Sequence, residues 1–410
     1  MSETIDLTLT DMANGGAALG RDEQSRVVFV PQAIPGERVQ VEIVADKGRY
    51  AQGRLVTVLD PADERISPRC PHFELCGGCA FQHIRYPDQL RYKQAVAQDQ
   101  LKRIGGLLET PVRPVLPHPE PWHYRTQITF SPTDEGDLGF WSPVEKRVIP
   151  IQECPVIRPE LEALFQDVDL RLPGLRSLTL RRGDDGALLV ALAVDDVEPP
   201  ELNTDFAVAV AMVLPNGQAA NLVGDNYIIQ AVKGQDFRVS AGCYFYPSPP
   251  MITRLVDVVL GYAQLTGRET IIDAYCGVGT ITAFLTSQAA MTQAIDVNPD
   301  AIADAALNLD EGDDVALYEG WVEEVLPMLA PKPDLLIVDP PADGLSREAV
   351  AAILANRPER LIYISEDIAT CARDSRQLHK GGYALEEVQP LDMVPQAHQI
   401  LTVSYWTNQS

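Results

Sequence analysis

From about residue 240 onward the chain alternates apolar runs with helical stretches, and this regularity limits the fold more than any other feature. The segments "ETIIDAYCGVGTIT", "QAIDVNPDAIADAALNL", "DLLIVDPPADG", "RLIYIS" and "ALEEVQPLDMV" form a repeating β–α series. Such alternation is the pattern of a doubly wound, Rossmann-like parallel sheet in an α/β domain. Chemistry in such sheets sits where strands give way to helices. Three of those junctions carry notable residues.

The first junction is "ETIIDAYCGVGTIT", a strand, a glycine turn and the start of a helix. Gly277 and Gly279 let backbone approach a ligand closely. Asp296 ends the next strand, where a carboxylate can accept from ribose hydroxyls. The series Asp273, Gly277, Gly279, Asp296 does not match G-x-G-x-x-G. It fits better the D-x-x-x-G-x-G turn used for S-adenosylmethionine (SAM), with Tyr275 and Thr280 in the same turn. The competing reading is a structural turn that holds no ligand. At the second junction "LLIVDPPADG" ends in Asp339-Pro340-Pro341. Two prolines after a strand make a rigid lip. Alone the tripeptide is weak; in register behind a SAM turn it gains weight. The third junction is Leu361–Asp374, "LIYISEDIATCARD". Its apolar, β-branched run reads as a buried strand, and "ATCARD" as the start of a helix. Glu366, Asp367 and Ile368 occupy the turn, with no obvious nucleophile.

Upstream, Cys70, Cys76 and Cys79 fall within ten residues, with Gly77 and Gly78 between the last two. Such a loop can wrap a metal or an iron–sulfur cluster with thiolate ligands. Cys154 in "PIQECPVI" is the best fourth ligand by residue type. His72 and His83 keep a zinc site open, so chemistry alone leaves zinc and iron–sulfur about even. The competing reading is a set of buried free thiols. Seven cysteines in all, an odd number in a large chain, argue against a disulfide framework.

Before the thiols, short alternating runs ("TIDLTLTDM", "SRVVFVP", "ERVQVEIV", "YAQGRLVTVL") separated by turn residues predict a small OB-like β-barrel. After them, "YPDQLRYKQAVAQDQLKRIGGL" has helical spacing, with Leu90, Ala95 and Leu101 among its apolar positions and a Gly-Gly stop. Strands dominate from about 110 to 235. The resulting organisation is a barrel over residues 1–62, a thiol loop and helix over 63–105, a β-rich central domain over 106–238, and the α/β domain over 239–410.

The formal charge of −25 is an odd balance for a nucleic-acid binder, since phosphate contacts need Lys and Arg. Local basic patches survive in acidic chains, so charge alone does not exclude RNA. The chain shows no apolar N-terminal stretch with a basic flank and no run long enough to cross a bilayer. A cytoplasmic location with no membrane partner is expected.

Together these residues resemble the bacterial RNA uridine-5-methyltransferase family, and the resemblance covers nearly the whole chain. "NGGAALGRDEQSRVVFVPQAIPGERV" looks like its TRAM barrel, "PRCPHFELCGGCAFQHIRYPDQLRYKQ" like its cluster loop, and "LGFWSPVEKRVIPIQECPV" carries its fourth cysteine. "IIDAYCGVGTIT" resembles its SAM turn. The resemblance implies a [4Fe–4S] cluster on Cys70, Cys76, Cys79 and Cys154. It implies SAM as cofactor and RNA (rRNA or tRNA) as partner, bound by the central domain, with no DNA partner. A monomer is expected.

The catalytic positions depart from the family. Carbon 5 of uracil is a poor nucleophile, which the family overcomes by adding a cysteine thiolate to carbon 6 and removing the carbon-5 proton with a carboxylate. The family pattern at the loop is Ser-Cys-Asn-Pro-Ala-Thr, whereas this chain has Ser365, Glu366, Asp367, Ile368, Ala369 and Thr370. Glu366 therefore holds the nucleophile position, and a carboxylate cannot replace a thiolate there. Near the end the family reads P-x-T-x-H-V-E-T-V; here Pro395–Val403 is "PQAHQILTV", with Leu401 at the base position. Tyr246 stands where a SAM-contacting Gln is usual, and Ala342 where an Arg is customary. Thr126 and Gln127 replace an Asn and a basic residue. Trp321 takes a small polar position, where it either stacks on adenine or belongs to the core. Cys371, Cys243 and Cys276 read as packed small residues rather than substitute nucleophiles. The main expectation is a SAM-dependent RNA methyltransferase that avoids the covalent cysteine route, with Glu366 or Asp367 as general base. The alternatives are a catalytically inactive RNA-binding or regulatory paralogue, and a small-molecule methyltransferase on the same scaffold.

Overall fold

The computed structural model describes residues 4–109, 111–168, 170, 172–195, 207–215, 217–310 and 314–409. Strands β1 (Thr4–Met12), β2 (Ala18–Arg21), β3 (Val27–Val30), β4 (Arg38–Asp46) and β5 (Tyr50–Asp60) close into a barrel in the order β1-β2-β3-β5-β4. Alternate residues such as Leu7, Leu9, Val28, Val30, Val39 and Val41 fill its interior. Closure pairs every strand, so a short five-stranded sheet needs no cover for its edges.

The thiol loop leads into α1 (Tyr86–Arg103). The helix is where its spacing predicts it, but its buried face mixes polar residues with apolar ones and leaves out Ala95. Gln89, Lys93 and Gln100 are buried beside Tyr92, Val96, Ala97 and Leu101, whereas Ala95 is exposed. Gln89 and Lys93 meet a loop near the C-terminus, described below.

The central domain is a seven-stranded sheet with α2 (Pro159–Asp167) against it. Its strands are β6 (Gln127–Pro132), β7 (Leu138–Ser142), β8 (Arg147–Pro150), β9 (Leu175–Arg182), β10 (Leu188–Val194), β11 (Ala209–Val213) and β12 (Ala219–Val223). A separate hairpin, β13 (Tyr227–Val232) with β14 (Gln235–Ser240), follows. Its Ile228, Phe237 and Val239 share one apolar core with Met251, Leu255 and Val259 of α3 (Pro249–Ala263).

The last sheet holds β15 (Thr270–Ala274), β16 (Met291–Asp296), β17 (Val315–Glu319), β18 (Leu335–Val338), β19 (Arg360–Ser365), β20 (Tyr383–Leu391) and β21 (Leu401–Asn408). Its order is β17-β16-β15-β18-β19-β21-β20. Helices α4 (Thr280–Thr286), α5 (Pro299–Asn308), α6 (Val322–Val325), α7 (Arg347–Asn356) and α8 (Ile368–Lys380) connect the parallel strands. Order reverses at β15, whose neighbours are β16 and β18, so the turns after β15 and β18 diverge and open a crevice. The expected parallel series stops at β19. Strand β21 runs antiparallel to both β19 and β20, because residues 392–400 are too few for a crossover helix and join β20 to β21 as a long hairpin. Among the described residues no helix is long and apolar enough to cross a membrane.

Candidate active site

The turn after β15 forms the floor of a 380 Å³ cleft. Asp273 is buried at the strand end, where the Thr282 hydroxyl donates to it at 2.6 Å. Burial, with the nearby Asp296 carboxylate opposing a second charge, pushes Asp273 up to about 7. Tyr275, Gly277 and Gly279 all take positive φ, a conformation costly for Tyr275 and nearly free for glycine. Asp296, at the end of β16, accepts from Gly277 N–H at 2.8 Å and Asn298 N–H at 2.8 Å. It thereby ties the two turns together, and its carboxylate still lines the cleft. Burial keeps it above the usual carboxylate range. Of the residues expected to hold a cofactor, Tyr246, Asp273, Tyr275, Gly277, Thr280, Asp296 and Asp339 all line this cleft. Gly279 does not; it caps α4, and a Cβ there would lie 3.2 Å from the Ala305 Cβ, so its role is helix packing.

Asp339 follows β18 at the opposite side. The Tyr246 hydroxyl donates to its carboxylate, 2.9 and 2.8 Å from the two oxygens. Burial, and then the Glu366 charge, hold the Asp339 carboxyl far above its ordinary range. The Pro340–Pro341 lip lines the cleft, and the Thr370 hydroxyl fastens it by donating to Ala342 O at 3.1 Å.

A second cleft of 310 Å³ opens between the central sheet and the α/β domain. Arg125, Gln127 and Phe140 line it from one side and Met393, Val394 and Leu401 from the other. Tyr244 and Glu366 line both clefts, so they stand at the joint between them. The Tyr244 hydroxyl donates to Glu366. Burial raises the Glu366 carboxyl, while that hydrogen bond pulls it partly back. Leu401, 2% exposed, lines the same cleft as Glu366 and gives it an apolar wall, not a base.

The structure separates the other candidates. Asp367 is the N-cap of α8, its Oδ1 accepting from Ala369 and Thr370 N–H at 2.8 Å each, and it lines neither cleft. Its role as base is therefore set aside: a carboxylate already satisfied by a helix terminus is not aimed at a substrate. Cys371 is fully buried in the core behind the sheet and Cys243 is buried against Asp304, so neither reaches the second cleft. Trp321 is 55% exposed ahead of α6, which overturns its core reading; it is outside the cleft lining, next to Gly320, whose N–H donates to Asp296 O at 2.9 Å. Tyr244 and Arg125 were missed in sequence; Tyr244 sits two residues before the noted Tyr246, but nothing local shows that it reaches Glu366.

The four thiols share one neighbourhood. Burial pushes Cys70 up to about 11 and Cys154 up to about 12, and in each case a neighbouring thiol adds to the rise. Among the described residues no three His, Cys, Asp or Glu side chains converge on a single-ion site. Arg125 lies close enough to favour thiolates at Cys76, Cys79 and Cys154. The histidines are otherwise engaged. His72 Nε2 accepts from Gln152 N–H at 3.2 Å, and His83 is buried beside Ala33 O, where burial brings it down to about 4.

Comparison with known proteins agrees with this architecture. Residues 2–56 match the TRAM domain family. An RNA methyltransferase of Halalkalibacterium halodurans, described as uncharacterized, is 32% identical over 98% of this chain and 96% of its own. A similarly described RNA methyltransferase of Nostoc is 31% identical over 98% of this chain and 96% of its own. The crystal structure of the Pyrococcus abyssi tRNA (uracil-54, C5)-methyltransferase with S-adenosyl-L-homocysteine superposes with a TM-score of 0.72 at 23% identity, over 98% of this chain and 100% of that one. With a TRAM barrel, a SAM-dependent methyltransferase fold and relatives matched end to end, the chain belongs to the family of bacterial RNA methyltransferases that these relatives represent.

Proposed function

We propose that this protein is a SAM-dependent RNA methyltransferase that transfers the methyl group to a nitrogen or oxygen atom, without a covalent thiol adduct. One observation carries the reading: Glu366 stands at the joint of the two clefts, and among the described residues no thiol lines the second. SAM supplies a methyl group on a sulfonium, which an atom with a lone pair can take directly. Asp296 would receive the ribose hydroxyls, and the Gly277 turn would admit the ligand close to backbone. Glu366 would take the proton from the accepting atom as the new bond to carbon forms and the carbon–sulfur electron pair returns to sulfur. A carboxyl raised toward neutral pH by burial suits a general base. Tyr244 would orient it. The RNA, tRNA or rRNA, would enter from the central domain and barrel.

The test is methyl transfer from radiolabelled SAM into total RNA of cells lacking this gene, followed by nucleoside digestion. Label on a nitrogen or oxygen of one nucleoside is expected. Label in 5-methyluridine, or a covalent adduct with 5-fluorouridine RNA, would overturn the mechanism.

The same reading gives Cys70, Cys76, Cys79 and Cys154 to a [4Fe–4S] cluster, which holds the loop that carries them. Protein purified without oxygen is expected to contain about four iron and four sulfide per chain, lost in a Cys154→Ser variant. Zinc alone in elemental analysis would refute the cluster.

A further inference from the structure

The second cleft is shaped by a loop whose apolar residues sit in its own domain's core but whose polar bonds reach out of that domain. Residues 392–400 connect β20 to β21, and Met393, Val394 and Gln399 from this loop form one side of the cleft. The bonds that fix it come from the N-terminal half of the chain. Lys93 Nζ on α1 donates to Asp392 Oδ1 at 2.5 Å and to Val394 O at 3.3 Å. The Tyr124 hydroxyl donates to Pro395 O at 3.1 Å.

Gln396 gathers most of the rest. Its carbonyl accepts from Ala80 N–H at 2.9 Å and Phe81 N–H at 2.8 Å, the two residues directly after Cys79. Its side-chain oxygen accepts from Gln89 Nε2 at 3.0 Å, and its own N–H donates to Gln89 Oε1 at 3.2 Å. Its Nε2 donates to Pro121 O at 3.3 Å. Gln396 is 1% exposed and holds a φ of 69°, a left-handed backbone that a glutamine rarely adopts. A residue stays in that region when its surroundings over-determine it. Here the surroundings are the thiol loop, α1 and the start of the central domain.

We infer that Gln396 is a positioning residue through which the thiol loop sets the shape of the second cleft. Order at Cys79, Ala80 and Phe81 passes by two backbone hydrogen bonds to Gln396, and along two and three residues of chain to Val394 and Met393. The first cleft meets the second only at Tyr244 and Glu366; it is otherwise built mainly from the turns after β15, β16 and β18 and takes no residue from 392–401. Loosening the thiol loop therefore opens the second cleft and spares the first. The inference rests on the second cleft being the acceptor site.

Hydrogen–deuterium exchange on the full chain tests it, in protein purified without oxygen and in protein stripped of its metal by a chelator. Gln396→Gly runs in parallel: it accepts the positive φ and keeps the backbone bonds, but loses the side-chain bonds to Gln89 and Pro121. Exchange across residues 392–401 is expected to rise at least about tenfold in both, with residues 273–280 unchanged. Gln396→Asn, which tolerates the same φ and keeps an amide, is expected to recover part of the protection. Calorimetric SAM affinity should hold while the RNA KM rises and kcat changes little. Unchanged exchange at 392–401 in either the stripped protein or Gln396→Gly would overturn the inference. If wild-type protein transfers no methyl group at all, the acceptor reading fails, and the exchange data still decide whether Gln396 couples the two loops.

Discussion

Glu366→Gln is expected to lower kcat by about 10²- to 10⁴-fold while leaving SAM affinity intact. The substitution keeps the size and one hydrogen-bonding oxygen but removes the group that accepts a proton. Its neighbours in the cofactor cleft, Asp296 and the Gly277 turn, are untouched, which is why affinity should hold. The pH profile separates this from a packing effect. Burial raises the Glu366 carboxyl, so it becomes a competent base only as pH climbs through that raised value. Wild-type transfer should therefore rise with pH and level off above it, and Glu366→Gln should lose that limb. Tyr244→Phe removes the hydroxyl that favours the ionised carboxylate, so the limb should move to higher pH. A Glu366→Gln enzyme with near wild-type kcat and an unchanged pH limb would remove Glu366 from the mechanism.

Lys93→Ala should be the most damaging single change to the fold, costing about 3–5 kcal/mol. The Lys93 and Asp392 side chains are 1% and 0% exposed and 2.5 Å apart. Cutting Lys93 back leaves a carboxylate in the interior with its main counter-charge gone, and the desolvation cost then has little to offset it. The unfolding midpoint should fall by about 2–4 °C for each kcal/mol. The double variant Lys93→Met with Asp392→Leu should recover most of the loss, because two apolar side chains of similar volume need no pairing. If the double variant is no more stable than Lys93→Ala, the loss comes from packing and not from a stranded charge.

The same pair shows why part of this protein resists reading from sequence. Lys93 lies on a helix whose apolar spacing points to Ala95, yet Ala95 is exposed and Lys93 is buried. A helix buries a lysine only when a distant partner awaits it, and that partner lies 299 residues away. Asp367 shows the converse. It sat beside Glu366 in a suggestive turn, and only the backbone trace reveals it as the cap of α8.

What the sequence by itself determined is what depends on near neighbours. The strand–helix alternation, the glycine turn after β15, the five short barrel strands and the thiol spacing are patterns of a few residues. They reflect backbone freedom, side-chain period and ligand reach, so they survive without knowledge of the rest. Resemblance added the positions of Glu366 and Leu401, and folding brings both to one cleft. Tertiary structure alone decided the remainder: that Tyr244 reaches Glu366, that β21 turns antiparallel, that Trp321 stays in solvent, and that Gln396 is held by the thiol loop. Each of these is a contact between segments far apart in the chain. Their energies come from burial and hydrogen bonds that exist only once the domains have packed, and no local pattern of residues encodes them.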